Sequence, residues 1–361
     1  MSVDFGLMWS VFENGKGFGP GDAVSGLAES GFGALARHDG GVHCVHHDSL
    51  WCGGDLWWTV FAPAADEGRG SWSERRRVGL APVVSPVSLA SYRDTLYLAY
   101  LTRRSTDDFP VLMLAALRPD GSWESREFSH AAKGQPVLTV HEGLLHLAFH
   151  GFDPAAELGE GAREIYSPRL SDEFVLTAYQ YDNTDVMYHL TFDGTSWSDA
   201  VALPVVGRFD FDLAFHRGQL HRVFRRYDDE SRDAAAIMHT VLEGGTWSEP
   251  VVLGHATGHG WPVMAVHDDM LYVAWATGGW SGPEEDAEDY DDPSAWRPPA
   301  YDASIRLGVL ESAGWREVDA VSVEAWTGRP RTPTPALISC TESAGGPSRL
   351  LLVYPAQADP R

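Results

Sequence analysis

Cysteine is scarce in this sequence, and the few cysteines exclude two common kinds of site. They are Cys44, Cys52 and Cys340. Their odd number argues against a disulfide framework and fits a reducing compartment. Their spacing is not that of a metal site. Cys44 falls in the middle of a predicted strand, where we expect a small buried apolar group.

Long apolar runs are absent as well. No stretch approaches roughly 18 consecutive apolar residues, so we predict no membrane-spanning helix. Residues 1–6 lack the basic region and apolar core of a signal peptide, and we therefore expect a cytoplasmic protein. The composition is nevertheless 44% hydrophobic with 14 tryptophans, which is enough for a large core.

Basic side chains are heavily outnumbered. The sequence has 27 Lys and Arg against 51 Asp and Glu, a formal net charge of −24. Phosphate binding needs clustered basic side chains, so we expect neither nucleic acid nor an anionic membrane as a partner. A neutral or cationic small molecule or glycan fits this charge better, although a local arginine pocket overrides the bulk field.

One pattern occurs five times along the chain. A polar, turn-forming cluster is followed by Leu or Val, then by His or Tyr, and then by an apolar run. Asp and Gly tolerate the positive φ that tight hairpin turns need, so each stretch predicts strand, turn, strand. The five stretches are residues 37–43, 91–97, 140–146, 215–221 and 266–272.

A second pattern follows each hairpin, in which an acidic or glycine-rich turn leads to a tryptophan. These tryptophans are Trp72, Trp123, Trp197, Trp247 and Trp315. Each turn marks a second hairpin, which gives units of four strands on a frame of about 50 residues, typical of β-propeller blades. Because one such unit cannot bury its own apolar face, the repeat predicts a closed array.

The two ends of the chain carry complementary halves of one more unit. Residues 334–339 and 349–354 predict a first hairpin with no tryptophan turn after it, and residues 7–18 predict a second hairpin with nothing before it. We therefore predict an all-β, six-bladed β-propeller of four-stranded antiparallel blades, closed by N-terminal strands that complete the C-terminal blade. It forms a single domain over residues 1–361, with insertions at about 150–185 and 276–301.

Histidines recur in two columns of the hairpin. His38, His141, His216 and His267 lie at the turn, and His43, His146 and His221 lie beyond it, where Tyr97 and Tyr272 replace them in the other two hairpins. A catalytic histidine is expected once, so we predict packing and hydrogen bonding between blades. His46 and Asp48 share one strand face and are the alternative metal pair, but we predict no metal site.

The predicted long connections fall on one face of the disc. They are residues 101–110, 150–185, 225–235 and 276–301, whereas the turns of the opposite face have two to five residues. Long loops on a rigid scaffold are the usual place for binding and catalysis. Aromatic, arginine and carboxylate side chains stack a sugar ring and hydrogen-bond its hydroxyls.

These considerations give a set of candidate site residues on that face. The candidate ligand-binding residues are Trp261, Arg208, Gln135, Tyr179, Arg225, Arg103, Trp280 and Trp296. The candidate acid and base groups, if the protein is an enzyme, are Asp210, His259 and Asp182.

Residues 283–292 hold seven acidic side chains in ten positions. Calcium prefers such oxygen-rich loops, but the spacing does not match an EF-hand and no glycine positions the ligands. We therefore predict a solvated lid segment, with calcium binding as the alternative.

The tryptophan turns carry a resemblance to a known family. Residues 191–197, Thr-Phe-Asp-Gly-Thr-Ser-Trp, resemble the Asp-box, or BNR repeat, of six-bladed sialidases, although Asp and Gly are adjacent here and the Arg-Ile-Pro element of the sialidase arginine triad is absent. The strand-turn-Trp rhythm is also similar to that of fucose-binding lectins. Those lectins repeat an Arg, Glu and aromatic trio in each blade, which this chain does not do clearly, so a single axial site is expected.

Three functions remain open at this point. The first is a carbohydrate-binding, lectin-like propeller with its site on the loop-bearing face. The second is a metal-independent enzyme with one axial pocket, either a glycoside hydrolase or a lyase or cyclase acting on a small organic substrate. The third is a protein-interaction scaffold. We expect no cofactor, and the fold alone does not separate the three.

Overall fold

The computed structural model describes residues 5–24, 33–47, 55–62, 70–103, 109–151, 186–204, 211–228, 231–257, 261–280, 301–312, 314–323, 334–341 and 348–357. Within these ranges the chain forms strands and turns only, so no helix suited to crossing a membrane occurs there. The predicted all-β class is confirmed.

The strands form six antiparallel sheets, which are the blades. The chain begins with β1 (Phe5–Glu13), β2 (Gly17–Phe18) and β3 (Asp22–Ala23). Blade 1 contains β4 (Gly33–His38), β5 (Gly41–His47), β6 (Leu56–Ala62), β7 (Ser71–Trp72) and β8 (Arg76–Arg77). Blade 2 contains β9 (Ser88–Tyr92), β10 (Thr95–Thr102), β11 (Val111–Leu117) and β12 (Trp123–Ala131). Blade 3 contains β13 (Lys133–His141), β14 (Leu144–Gly151), β15 (Val186–Phe192) and β16 (Val201–Leu203).

The remaining blades follow the same order. Blade 4 contains β17 (Phe211–His216), β18 (Gln219–Asp228), β19 (Ser231–Glu243), β20 (Thr246–Trp247) and β21 (Val251–Thr257). Blade 5 contains β22 (Val263–His267), β23 (Met270–Trp280), β24 (Tyr301–Glu311) and β25 (Gly314–Val323). The last strands, β26 (Ala336–Thr341) and β27 (Ser348–Gln357), form blade 6 together with β1, β2 and β3.

The two ends of the chain meet in blade 6, as predicted. Strand β1 pairs antiparallel with β27 from Phe5 opposite Gln357 to Phe12 opposite Leu350. This pairing covers the edge that β27 would otherwise expose. The ring is therefore closed by hydrogen bonds between the first and last described strands.

The first strand of each blade is the innermost, and these inner strands surround the axis. Strand β4 contacts β9, and the contacts continue through β13, β17, β22 and β26 back to β4. The hydrophobic core lies in the seams between neighbouring blades. In one cluster Val45 of blade 1 packs with Leu96 of blade 2, and in another Ile305 of blade 5 packs with Leu352 of blade 6.

The five repeated hairpins turn in two residues each, and both turn residues have positive φ. The pairs are Asp39-Gly40, Arg93-Asp94, Glu142-Gly143, Arg217-Gly218 and Asp268-Asp269, with φ between 47° and 77°. This is the type I′ geometry that matches the twist of antiparallel strands. The hairpin prediction from the polar clusters is confirmed.

Three predicted connection lengths are wrong. Residues 225–235 were predicted as a long loop, yet β18 runs to Asp228 and β19 begins at Ser231. Two connections on the opposite face are longer than two to five residues, because β6 ends at Ala62 while β7 begins at Ser71, and β26 ends at Thr341 while β27 begins at Ser348. Strand pairing continues past the charged residues of β18, where Arg222 and Arg225 are buried in the blade and Arg226 is exposed.

Candidate functional site

The antiparallel order of the strands gives the disc two different faces. One face, the turn face, carries the connections from first to second and from third to fourth strand of each blade. The other, the loop face, carries the connections from second to third strand and from one blade to the next. Residues 48–54, 104–108, 152–185 and 281–300 all connect second to third strands at the loop face. The predicted asymmetry is therefore present in blades 2, 3 and 5. Blade 4 lacks its predicted long loop, and in blade 1 the connection between β6 and β7 is as long as that between β5 and β6.

Two predicted ligand residues are described near the loop face at the start of inner strands. Trp261 precedes β22, is partly buried, and donates its backbone N–H to Thr334 Oγ1 of the neighbouring blade at 3.2 Å. Gln135 is partly buried in β13, where the register with β14 shifts between Lys133 and Val137. Such a shift locally re-aims side chains. A third residue, Arg103, is exposed just after β10.

Most of the other predicted site residues lie outside the described residues. They are Asp182, Asp210, His259, Arg208, Tyr179 and Trp296, together with the acidic segment 283–292. The backbone of Trp280 ends β23, opposite Tyr301 of β24, but its side chain is also outside the described set. The roles assigned to these residues remain predictions.

Arg225 does not lie in a rim loop. It is in β18, opposite Ile237, and its side chain is 1% exposed. Burying a guanidinium costs free energy unless the group is hydrogen-bonded. We therefore expect contacts within the blade to fix the Arg225 side chain. The sequence placed Arg225 in a loop because charged residues are rarely buried.

A buried basic group lies in the seam between blades 3 and 4, close to the loop face. Arg222 and His150 are both 0% exposed, and Lys133 is 7% exposed. Arg222 Nη2 is 3.2 Å from His150 Nε2, and Lys133 pairs with His150 across the strands. Burial first, and then the positive charges of Arg222 and Lys133, lower the pKa of His150 well below its usual value. His150 is therefore a neutral acceptor.

Aromatic rings complete the surroundings of Arg222. Its guanidinium lies 4.9 Å from the Phe211 ring centroid and 5.1 Å from that of Phe224. A cation over an aromatic face is attracted by the ring quadrupole. None of these residues stood out in the sequence, because an isolated arginine in an alternating strand pattern is ordinarily read as exposed.

Asp212 is a carboxylate that the sequence did not single out. It lies in inner strand β17, where its oxygens accept the backbone N–H of Met264 in blade 5 at 2.7 Å and of Leu213 at 2.8 Å. Burial raises the pKa of Asp212 to about 6, against the lowering effect of those two hydrogen bonds. Ser88 is at the same distance from its hairpin turn and likewise accepts the N–H of Leu138 in the next blade at 2.9 Å. The position that Asp212 and Ser88 share, counted from the hairpin turn, is the sequence signal that could have identified Asp212. It indicates a contact between neighbouring blades.

The first histidine column joins neighbouring blades near the turn face. His38 Nδ1 is 2.9 Å from Ser91 Oγ, His216 Nε2 is 2.9 Å from the Asp269 carbonyl oxygen, and His267 Nδ1 is 3.0 Å from Ser339 Oγ. At the seam where tyrosine stands in this position, the Tyr92 hydroxyl donates to the Gly143 carbonyl oxygen at 2.8 Å. The predicted structural role of this column is confirmed.

The second histidine column pairs with the third strand of the same blade. His146 Nδ1 lies 2.9 Å from His189 Nε2, and His221 Nδ1 lies 3.0 Å from His239 Nε2. Burial lowers the pKa of His146, His221 and His239 to about 4 each. These rings are neutral at pH 7, as packing groups should be.

Three tryptophans of the second pattern pack against aromatic or histidine rings of the preceding blade. Trp123 meets Trp58 of blade 1 edge-on at 6.2 Å, Trp197 meets Phe128 of blade 2 at 5.2 Å, and Trp315 meets His239 of blade 4 at 5.0 Å. In the Asp-box-like turn, Asp193 Oδ1 accepts the backbone N–H groups of Thr195 and Ser196 at 2.7 and 2.8 Å. These two bonds lower the pKa of Asp193 and fix the turn.

Metal binding finds no support in the part of the chain that the structure describes. Among the described residues, no group of three or more His, Cys, Asp or Glu side chains is arranged to hold a metal ion. Of the alternative pair in the sequence, His46 is 0% exposed in β5, whereas Asp48 falls outside the described residues.

No protein-family model and no curated protein matches the chain. Among solved structures, that of YjhT aligns with a TM-score of 0.51 at 14% identity, covering 89% of this chain and 93% of that chain. The GH43_1 enzyme from Xanthomonas citri complexed with xylose aligns with a TM-score of 0.45 at 11% identity, covering 69% and 81%. The parainfluenza virus 5 hemagglutinin-neuraminidase ectodomain aligns with a TM-score of 0.46 at 8% identity, covering 98% and 85%.

Identity this low shows a shared fold and nothing more specific. The alignment with YjhT extends over nearly the whole of both chains.

Proposed function

We propose that this protein is a carbohydrate-binding propeller whose ligand site is on the loop face, around the axis. The observation that carries the proposal is the asymmetry of the disc. Four of the long connections leave the sheets at the loop face, while the repeated hairpins of the turn face close in two residues. A rigid ring that places variable connections at one end is a common scaffold for ligand sites.

The described residues at the loop face have suitable chemistry. Trp261 precedes inner strand β22 of blade 5, Gln135 lies near the start of inner strand β13 of blade 3, and Arg103 is exposed after β10 of blade 2. An indole stacks against the apolar face of a sugar ring, and amide and guanidinium groups hydrogen-bond its hydroxyls. Arg208, Tyr179 and Trp296, which are also predicted ligand residues, come from sequence segments that connect strands at the same face.

Glycan binding by the full chain tests the proposal. A glycan array followed by calorimetric titration of the best-binding glycan should give saturable binding. Trp261→Ala should weaken binding by about tenfold or more, since loss of one stacked aromatic costs about 1.5 kcal/mol or more. Arg217→Ala, an exposed substitution on the turn face, is the matched control and should leave affinity unchanged.

Two results would count against this site. Binding that is unchanged in Trp261→Ala but lost in Arg217→Ala would put the site on the wrong face. An array with no bound glycan would remove the carbohydrate proposal altogether.

An enzyme with one axial pocket is the second candidate function, and two groups favour it, the buried His150 and the partly buried Asp212. The pKa of Asp212 is raised to about 6 and that of His150 is lowered, and groups with shifted pKa values cluster at catalytic sites. Both residues also have structural contacts, which is why this candidate ranks second. Incubation of the full chain with each bound glycan, followed by NMR of the products, tests it, because turnover distinguishes an enzyme from a lectin.

A further inference from the structure

Two of the interfaces between neighbouring blades, here called seams, place different residues at equivalent positions. One of them has an aromatic ring where the other has an open cleft. Seam 1–2 lies between blades 1 and 2, and seam 3–4 lies between blades 3 and 4. Counted from the hairpin turns, His38 corresponds to His141, His43 to His146, Trp58 to His189, and Ser91 to Phe215. The third-strand partner makes the same contact in both seams, because Trp58 Nε1 donates to His43 Nδ1 at 3.1 Å where His189 Nε2 lies 2.9 Å from His146 Nδ1.

Seam 3–4 is closed by an aromatic ring. The Phe215 ring stacks on His141 with centroids 4.0 Å apart and an interplanar angle of 7°. It also packs on His146 at 4.7 Å. The space left around these residues is too small for a water molecule. The histidine pair of a seam is thus a platform on which a phenyl ring fits.

Seam 1–2 has the corresponding histidine pair without the ring, and His38 and His43 meet edge-to-face with centroids 5.3 Å apart. Ser91 occupies the position of Phe215, and its Oγ lies 2.9 Å from His38 Nδ1. A cleft of about 810 Å³ opens here on the turn face, and it is lined by His38, His43, Trp58 and Ser91 together with the neighbouring turns. Every residue that lines it belongs to the described part of the chain. The cleft therefore exists where a serine replaces a ring.

The walls of this cleft are aromatic and uncharged, and its mouth is polar. His43 stacks on Trp58 with centroids 5.5 Å apart and an angle of 22°. Burial lowers the pKa of His43 to about 4, so its ring is neutral at pH 7. Arg37, Asp39 and Asp94 lie at the mouth and are exposed. Their opposite charges do not select a strongly anionic or cationic ligand.

We propose that seam 1–2 is a binding site for a small neutral aromatic compound with a hydrogen-bonding substituent, whose ring stacks on His38 as Phe215 stacks on His141. A phenol is the simplest member of this class. Aromatic pairs gain from offset stacking in addition to the apolar area that they bury. The Ser91 hydroxyl holds the His38 ring in place, and the exposed carboxylates of Asp39 and Asp94 at the mouth can accept a hydrogen bond from the substituent. This site is on the face opposite to the proposed carbohydrate site.

Phenol, titrated into the full chain, tests the site directly. Its ring protons should give intermolecular NOEs to the imidazole protons of His38 and His43. Cyclohexanol has a similar size but no aromatic ring, and its affinity should be lower than that of phenol by at least about tenfold. Methyl glucoside should not compete with phenol. NOEs to other residues only, or equal binding of phenol and cyclohexanol, would overturn the proposal.

Exchange of the two seam residues gives a matched pair of variants. Ser91→Phe supplies the ring from within and should abolish the phenol NOEs to His38. Phe215→Ser opens the equivalent platform at His141 and should raise the stoichiometry of phenol from one to two. Undiminished phenol binding in a folded Ser91→Phe protein would contradict the site, and the wild-type NOE measurement decides the question if either variant fails to fold. Loss of glycan binding through Trp261→Ala leaves phenol binding intact, so the two proposals fail independently.

Discussion

The two faces of this ring are built on different principles, although the same strands form both. On the turn face five blades repeat one hairpin, and in four of them the residue before the turn joins the next blade by a hydrogen bond, through His38, Tyr92, His216 or His267. On the loop face the connections differ in length from blade to blade. The turn face therefore maintains the ring, and the loop face is available for variation.

The two faces also show how side chains that recur between blades can be separated from candidates for a ligand site. A side chain that returns in most blades, as the hairpin histidines and the turn tryptophans do, is explained by the seam it packs in. A side chain that departs from its column is a better candidate for a ligand site. At the second position before the hairpin turn, Ser91 stands where blades 3, 4 and 5 have Val140, Phe215 and Val266, and at the position of Trp261 blades 2 and 3 have Pro86 and Gln135.

The largest effect is expected from breaking the ring itself. Deleting residues 1–24 removes β1, β2 and β3, together with the buried side chains of Leu7, Trp9 and Phe12. Each of those side chains contributes about 1.5–3 kcal/mol, and the lost strand pairing adds to this, so the total approaches the 5–15 kcal/mol stability typical of a domain. Circular dichroism should show no cooperative thermal transition, and size-exclusion chromatography should show aggregation through the exposed β27 edge.

A synthetic peptide covering residues 5–24 sharpens this test. Added in excess, it should restore the cooperative transition, because it can pair with β27 in the register of the intact chain. Insertion of one glycine after Gly15, in an exposed turn with open space around it, is the control and should have little effect. A truncated chain that melts at the wild-type temperature would show that closure contributes nothing.

The fold could be predicted from the sequence because its signals are local and repeated. The I′ turns at Asp39-Gly40 and Glu142-Gly143 need residues that tolerate positive φ, and the composition of five such turns identified the hairpins. The complementary halves at the two ends gave the closure of blade 6. Each of these predictions used a pattern that physical chemistry ties to one local structure.

The site could be predicted only in kind. Arg222, His150 and Lys133 come from three different strands, and their association depends on how blades 3 and 4 pack. Arg225 was taken for a loop residue because burial of a guanidinium is rare and leaves no periodic signal. The cleft over His38 depends on one small residue in the next blade, and such a contact becomes visible only when the register of both blades is known.

Acid should weaken the turn face in particular. The pKa values of His43, His146, His221 and His239 are each lowered by burial to about 4. In the unfolded chain these groups bind protons near pH 6.5, so between pH 6.5 and 4 the unfolded state holds more protons and the free energy of unfolding falls as the pH falls. We expect a loss of about 1 kcal/mol or more per histidine after allowance for solvent screening.

Urea denaturation at intervals from pH 7.5 to 4 measures this loss. The double variant His146→Gln and His189→Gln removes one stacked pair and should have a shallower dependence on pH than the wild type. A wild-type stability that stays constant over this range would contradict the assignment of these histidines as neutral packing groups.

Asp212 should respond to pH in the opposite direction, which separates the inner seam at the loop face from the turn face. Burial raises the pKa of Asp212 from 3.8 to about 6, so the folded state holds more protons between these values and the stability contributed by this group is lost as the pH rises through that window. Asp212→Asn keeps an oxygen acceptor for the Met264 N–H and carries no charge. It should raise the free energy of unfolding by about 1–2 kcal/mol above pH 6 and have little effect near pH 4.

The same denaturation series measures the Asp212 effect. Asp212→Ala is the control, because it removes the charge but also leaves the Met264 N–H without this acceptor, and it should be less stable than Asp212→Asn at every pH. An Asp212→Asn protein that is less stable than the wild type at pH 8 would show that the carboxylate is favourable in its charged form.

The smallest effect is expected from improving a turn that the repeat leaves imperfect. Glu142 has φ of 47° and precedes Gly143 with φ of 74°, the conformation in which Asn-Gly is strongly preferred. Glu142→Asn should raise the free energy of unfolding by about 0.5 kcal/mol, because asparagine tolerates the left-handed region better than glutamate does. Arg217→Asn makes the same change in blade 4 but removes the contact of Arg217 Nη2 with Asp269 Oδ2 at 3.1 Å, so its gain should be smaller. Thermal melts of the two variants in parallel compare the two gains in the free energy of unfolding. A gain for Arg217→Asn that equals or exceeds that for Glu142→Asn would mean that the inter-blade ion pair contributes nothing to stability and that the turn conformation alone governs this part of the turn face.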